Sequence, residues 1–247
     1  GVHALFAVDG EADGGGKTEP RQAGEAVWLS KLEKKGGKQA PRPGSSSTSV
    51  RPRNIRGDEN KLSEEQRHVL AAALAGQSLF FTGSAGTGKS FLLRVIINNL
   101  HERRGKNAVF VTAPTGIAAC NVGGTTLNSF AGVGLGKESA EVLASIVCGN
   151  ARKVKNWRQA RVLVIDEVSM LDGHFMDKLD AVARRAREEE ETPFGGIQLI
   201  MCGDFFQLPP IGINSGRDIF CFESRVWPQL IKPARQLVLR KVFRQRD

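Results

Sequence analysis

The chain has no tyrosine and an aromatic content of 6%, which argues against an extended surface of stacking rings. Its four cysteines, Cys120, Cys148, Cys202 and Cys221, are widely spaced and form no C-x-x-C pair. That spacing argues against a disulfide framework and a thiolate zinc site, and predicts small core residues of a reduced protein. No apolar run reaches the roughly eighteen residues that a membrane-spanning helix needs, so no membrane association is expected. An initiating methionine is also lacking; the chain starts at Gly1, as expected of a fragment or a processed product.

Positive charge is not lacking. The net charge is +9, and because residues 1–60 carry ten basic against eight acidic side chains, +7 of it falls on residues 61–247. A basic folded part suits a phosphate backbone better than a small metabolite. Residues 1–60 are rich in Gly, Ser, Pro and charge, and are expected to form a disordered tail that buries too little apolar surface to offset its chain entropy. The rest has the length of one sizeable domain.

Within 61–247, Ser63 followed by Glu64, Glu65 and Gln66 predicts a capped helix start. Five apolar runs predict buried strands: 79–82, 108–112, 162–165, 197–202 and 236–239. Helical segments separate them. One follows the first strand and is apolar nearly all round; another, from about Leu171, has Phe175, Leu179, Val182, Ala183 and Ala186 on one face. Alternating strands and helices predict an α/β fold with a mainly parallel sheet covered on both faces.

The most informative segment runs from the first of these strands through Gly83-Ser84-Ala85-Gly86-Thr87-Gly88-Lys89-Ser90 into the apolar helix. A strand, a glycine-rich loop and a helix start in that order make a phosphate cradle, with backbone N–H groups and the helix N-terminus turned toward one anion. The pattern is that of a P-loop NTPase: Lys89 reaches the β- and γ-phosphates, and the Ser90 hydroxyl holds Mg²⁺. ATP and Mg²⁺ are the expected ligands.

Completing such a site requires a carboxylate at the end of a neighbouring strand. The run 162–165 delivers Asp166 and Glu167 to the strand's C-terminal edge, where ligands bind in open α/β sheets. Asp166 is expected to hold the metal, and Glu167 to orient and deprotonate the attacking water. The run 197–202 leads to Gly203-Asp204-Phe205-Phe206-Gln207, where Gln207 can sense the γ-phosphate or simply belong to an ordinary strand exit. Arg244 can act as an arginine finger or lie on a basic surface.

Taken together, these blocks resemble the petite-integration-frequency helicases, which are 5′-to-3′ DNA helicases of superfamily one. The most specific part is the string 166–180, continued by Pro193-Phe-Gly-Gly196 and by 203–207. The resemblance covers roughly 60–247 and implies a RecA-like motor domain. Leu62-Ser-Glu-Glu-Gln66 is similar to the family's adenine-reading motif, which makes Gln66 a base contact. The blocks 112–119 and 123–132 are similar to its single-strand-binding segments, which implies DNA contacts by Thr112, Thr115, Gly116, Asn128 and Phe130. Asn128 departs from the family's usual histidine. Phe130 is a candidate for base stacking, with a core position beside Leu127 and Ala131 as the alternative.

The resemblance further implies partners, namely single-stranded DNA and duplex junctions, and roles in DNA repair, recombination and telomere or genome maintenance. It implies a nuclear or mitochondrial location as well. Translocation in the family uses a second RecA-like domain, which this chain is expected to lack, so the chain alone should hydrolyse ATP weakly. Other readings remain open on sequence: a helicase of the same superfamily associated with a relaxase or exonuclease, a nucleotide-gated DNA-binding module without unwinding activity, or an ATPase acting on proteins.

Overall fold

A computed structural model of the chain describes residues 58–210 and 219–243. Apart from Asp58–Asn60, the expected tail lies outside the described residues, and so does Arg244. Helix α1 (Glu64–Leu74) begins with a reciprocal cap: Gln66 N donates to Ser63 Oγ, and Ser63 N donates to the Gln66 side chain. Strand β1 (Leu79–Gly83) then feeds α2 (Lys89–Arg104), after which come β2 (Val109–Ala113) and α3 (Gly116–Asn121). Next are β3 (Thr125–Thr126), α4 (Leu127–Ala131), α5 (Ala140–Cys148), α6 (Ala151–Gln159) and β4 (Val162–Ile165). The order ends with α7 (Gly173–Arg187), β5 (Gln198–Cys202), α8 (Trp227–Leu230) and β6 (Gln236–Leu239).

All six strands are parallel, in the order β3-β2-β4-β5-β1-β6. The five expected strands are present to within a residue or so at their ends. β3 is the unexpected one: two threonines have no apolar run, and they pair only because β2 offers a free edge. Side chains alternate across the sheet. Phe81, Val164, Ile200 and Cys202 face one layer with the buried side of α2, including Leu92, Leu93, Ile96 and Leu100. Each such Leu or Ile contributes roughly 1.5–3 kcal/mol on burial. Phe80 faces the other layer, with its ring 5.5 Å from that of Trp227.

The family-like string after β4 consists largely of clasps. Asp172 caps α7 by accepting from Phe175 N at 2.9 Å. Asp177 accepts from Val226 N at 3.0 Å, and Lys178 Nζ donates to Gly136 O at 3.1 Å. Asp180 pairs with Arg184 at 2.8 Å and accepts from Phe194 N at 2.6 Å. Arg187 donates to the carbonyls of Gly195, Trp157 and Ala160. These bonds hold α7 against its neighbours and set the lead-in to β5.

Of the four cysteines, Cys202 and Cys221 are buried as expected, whereas Cys120 and Cys148 are exposed. Both exposed residues lie at helix C-terminal turns facing out. No helix among the described residues is long and apolar enough to cross a membrane.

Candidate nucleotide site and the adjoining edge

β1 ends at Gly83, and the loop that follows leaves Ser84, Ala85 and Gly86 exposed at its rim while Thr87 is buried. Thr87 closes the turn, its N–H and hydroxyl both donating to Ser84 O, at 3.3 and 2.8 Å. Gly88 starts α2 with φ +78°, and a Cβ there would sit 2.8 Å from Gln66 Nε2, so both the turn and the close approach require glycine. The Lys89 ammonium folds back onto the Gly83 and Ser84 carbonyls. Ser90 is exposed in the first turn of α2.

Gln66 is buried and occupied at both ends of its amide. Its oxygen accepts from Ser63 N, and its nitrogen donates to Thr87 O at 3.1 Å. Through these two bonds Gln66 braces the loop against the start of α1. α1 reaches the same region a second time through Glu65, which accepts from the N–H groups of Arg240 and Lys241. Those bonds hold the Glu65 carboxyl below its ordinary range. They also direct the chain after β6 over the loop, where Phe243 N donates to Gly86 O at 2.9 Å. Arg244 follows directly, outside the described residues.

The acids arrive from β4, but β4 is not next to β1. β5 lies between them, so the expectation of a neighbouring carboxylate strand needs correcting: Asp204, at the end of β5, stands in the gap. Asp166 is buried, and Glu167 takes a left-handed conformation with φ +52°. Such backbone strain in a non-glycine residue is characteristic of functional turns.

Burial raises the Asp166 carboxyl above its ordinary value, against the pull of Lys89. Glu167 is raised first by burial, then by the charge of Asp166, with a smaller contribution from Asp204 and with Lys89 again opposing. Lys89, Asp166, Glu167 and Asp204 thus share one electrostatic site. Gly203 makes this arrangement possible, because a Cβ there would come 3.0 Å from Val168 N. Gln207 is exposed, and its amide donates to Asp204 Oδ2 at 2.9 Å.

A mutually repelling group of carboxylates beside an ammonium suits a divalent cation. Among the described residues no three His, Cys, Asp or Glu side chains form a cage for one. In the sequence Asp204 has no evident role, and Cys202 reads as core packing. In the fold Asp204 adds to the charge around Glu167, and Cys202 is buried, its thiol raised well above its ordinary value by burial and by the charge of Asp166.

The expected DNA contacts divide. Thr112 is fully buried, and its hydroxyl donates to Val164 O at 2.7 Å; it is a sheet residue, a correction forced by its inward place on β2. For Phe130 the core alternative holds over base stacking. It is 2% exposed, with ring centroids 4.9 Å from both Phe110 and Trp157, so it cannot stack on a base. Thr115 is half-buried and caps α3 by accepting from Ala118 N at 3.2 Å, and Gly116 is exposed beside it. Asn128 is half-buried and donates to Gly134 O at 2.7 Å. Thr115 and Asn128 share the wall of a cavity of about 130 Å³ with Pro114, Asp172 and Phe175. Pro114 and Asp172 do not stand out in the sequence, because only the fold brings the loop after β2 against the start of α7.

A PIF1-like helicase family model matches residues 61–247. The chain is 49% identical over 194 residues to the ATP-dependent DNA helicase PIF1 of Candida albicans, a match that covers 75% of this chain and 21% of that protein. The crystal structure of Pif1 helicase from Candida albicans superposes with a TM-score of 0.68 at 50% identity, over 74% of this chain and 40% of the other. The Pif1 helicase from Bacteroides in complex with ADP-AlF3 and single-stranded DNA superposes with a TM-score of 0.58 at 32% identity, over 75% and 43%. The chain thus spans about a fifth of the length of the Candida protein. Its sheet and its glycine loop are those of a RecA-like domain, and the chain belongs to the PIF1-like helicase family.

Proposed function

We propose that this chain is the first RecA-like motor domain of a 5′-to-3′ DNA helicase that couples Mg-ATP hydrolysis to movement along single-stranded DNA. The observation that carries the reading is the shared site of Lys89, Asp166, Glu167 and Asp204 at the C-terminal edge of the sheet, beside the glycine loop. Support comes from relatives named ATP-dependent DNA helicases and from the Bacteroides neighbour solved with ADP-AlF3 and single-stranded DNA.

In this reading the loop N–H groups and Lys89 hold the β- and γ-phosphates. Ser90 and Asp166 hold Mg²⁺, which supplies neutralisation of phosphate charge. Glu167 takes a proton from water as the water oxygen bonds to the γ-phosphorus. The bond to the bridging oxygen breaks, and its electron pair leaves with ADP. A carboxyl raised by burial is the better base for that step. Asp204 holds Gln207 in position to sense the γ-phosphate, and Arg244 serves as an arginine finger. Thr115, Gly116 and Asn128 contact the DNA strand.

The parent protein closes the site with a second RecA-like domain and works on single strands and duplex junctions in repair, recombination and telomere maintenance. That work puts it in the nucleus or the mitochondrion. A chain extended to the length of its relatives should show ATPase activity stimulated by single-stranded DNA and abolished by Lys89→Ala and Glu167→Gln. ATPase activity indifferent to single-stranded DNA would overturn the reading.

A further inference from the structure

The opposite edge of the sheet carries a second charged feature. The turn from α2 into β2 and the turn from α6 into β4 are tied together by Arg161 N, which donates to Ala108 O at 2.8 Å. They form one open depression of about 460 Å³ lined by Arg104, Lys106, Arg158 and Arg161, with no carboxylate in its wall. All four cations are exposed. Among the described residues only Arg158 has an ion-pair partner, Glu188 at 2.6 Å.

The uncompensated charge is felt by the groups on either side. Arg187 is lowered from its ordinary value, mainly by burial and then by Arg161. His101 is lowered mainly by burial, with Lys106 adding to it. Helix α6, which delivers Arg158, also carries Arg152, Lys153 and Lys155 and contains no acid.

We propose that this depression is a second DNA contact, which holds the phosphate backbone of a duplex without reading its sequence. It rests on the reading of the parent protein as a DNA motor. Three observations select this occupant. Unpaired guanidinium and ammonium groups held on a fixed platform suit a line of phosphates. None of the large exposed apolar side chains lies in the depression, so it lacks the apolar centre typical of a protein interface. No aromatic ring lines it either, and without a stacking surface a duplex is favoured over a single strand. Strands of four and five residues, β4 and β2, separate it from the nucleotide edge; at about 3.3 Å per residue the two sites lie on opposite ends of the domain.

The test is binding of a labelled blunt duplex and a labelled single strand to the 247-residue chain, followed by fluorescence anisotropy from about 50 to 200 mM salt. In the triple variant Arg104→Ala, Lys106→Ala, Arg161→Ala, duplex affinity should fall at least tenfold at the low-salt end. The slope of log K against log salt should flatten by about two to three, close to 0.9 for each phosphate that is no longer neutralised. Single-strand affinity should change less, and binding of a fluorescent ATP analogue should be unaltered. Arg161→Glu alone, at an exposed position, gives the same direction of change if the triple variant folds poorly. Unchanged duplex affinity and slope in both variants overturn the proposal, as does an unaltered chain that binds single strands but no duplex; the motor reading survives either result. An unaltered chain that binds no DNA at any salt overturns both.

Discussion

The two ends of this parallel sheet are built on different principles. At the C-terminal end the charges are few, of both signs and at least half-buried: Lys89 opposes Asp166 and Glu167, and burial raises both carboxyls. The backbone there is strained at Glu167, a non-glycine residue in the left-handed conformation. At the N-terminal end the charges are exposed and of one sign, and the only backbone demand is met by a glycine, Gly105 at φ +80°. Low dielectric makes the first arrangement strong and exacting, and water makes the second weak for each group. Chemistry belongs at the first end. The second can only attract.

The largest expected effect is at the buried end. Glu167→Gln should slow single-turnover ATP hydrolysis by the parent protein about 10²–10⁴-fold, the usual contribution of a general base, while nucleotide binding persists. Failure to bind nucleotide would mean that Glu167 supports the loop instead.

Phe130→Ala tests the layer beneath the proposed DNA contacts. Removing a ring packed between Phe110 and Trp157 should cost about 3–5 kcal/mol in urea denaturation. A stable variant with weakened DNA binding would restore the stacking role.

Asp166→Asn should raise the melting temperature of the nucleotide-free chain near neutral pH, by about 2–4 °C for each kcal/mol gained. The sign follows from the raised carboxyl. Its contribution to stability is present below the unfolded value and is lost as pH rises through the folded one, so the neutral amide keeps what the charged acid forfeits. The gain should shrink toward acid pH in calorimetry; a gain that grows there would contradict the burial argument.

Arg158→Ala, at the exposed end, should cost less than about 1 kcal/mol, as exposed ion pairs do. A larger drop in the same denaturation assay would show that the basic edge is structural and would erase the contrast.

How much was legible beforehand depended on whether a role is set by near neighbours in the chain. The glycine loop was, because its turn, its lysine and its helix start are consecutive. So were the capped start of α1 and the five longer strands. Thr112 and Phe130 show that a motif gives spacing and not facing: on β2 the Thr112 hydroxyl turns inward to Val164 O, and on α4 the Phe130 ring takes the core alternative, toward Trp157. β3 escaped because two threonines become a strand only beside the open edge of β2.

The sequence by itself determined the phosphate cradle, the acid pair, the parallel α/β class and the family resemblance, all of which rest on local periodicity and on residues joined in short runs. Only the tertiary structure decided that β5 stands between β1 and β4, bringing Asp204 into the nucleotide site. It also decided that Gln66 and Glu65 brace the loop and the exit from β6, and that two distant turns combine four cations in one depression. Strand order and the meeting of turns depend on how crossover helices pack across the whole sheet, and no stretch of neighbouring residues encodes that alone.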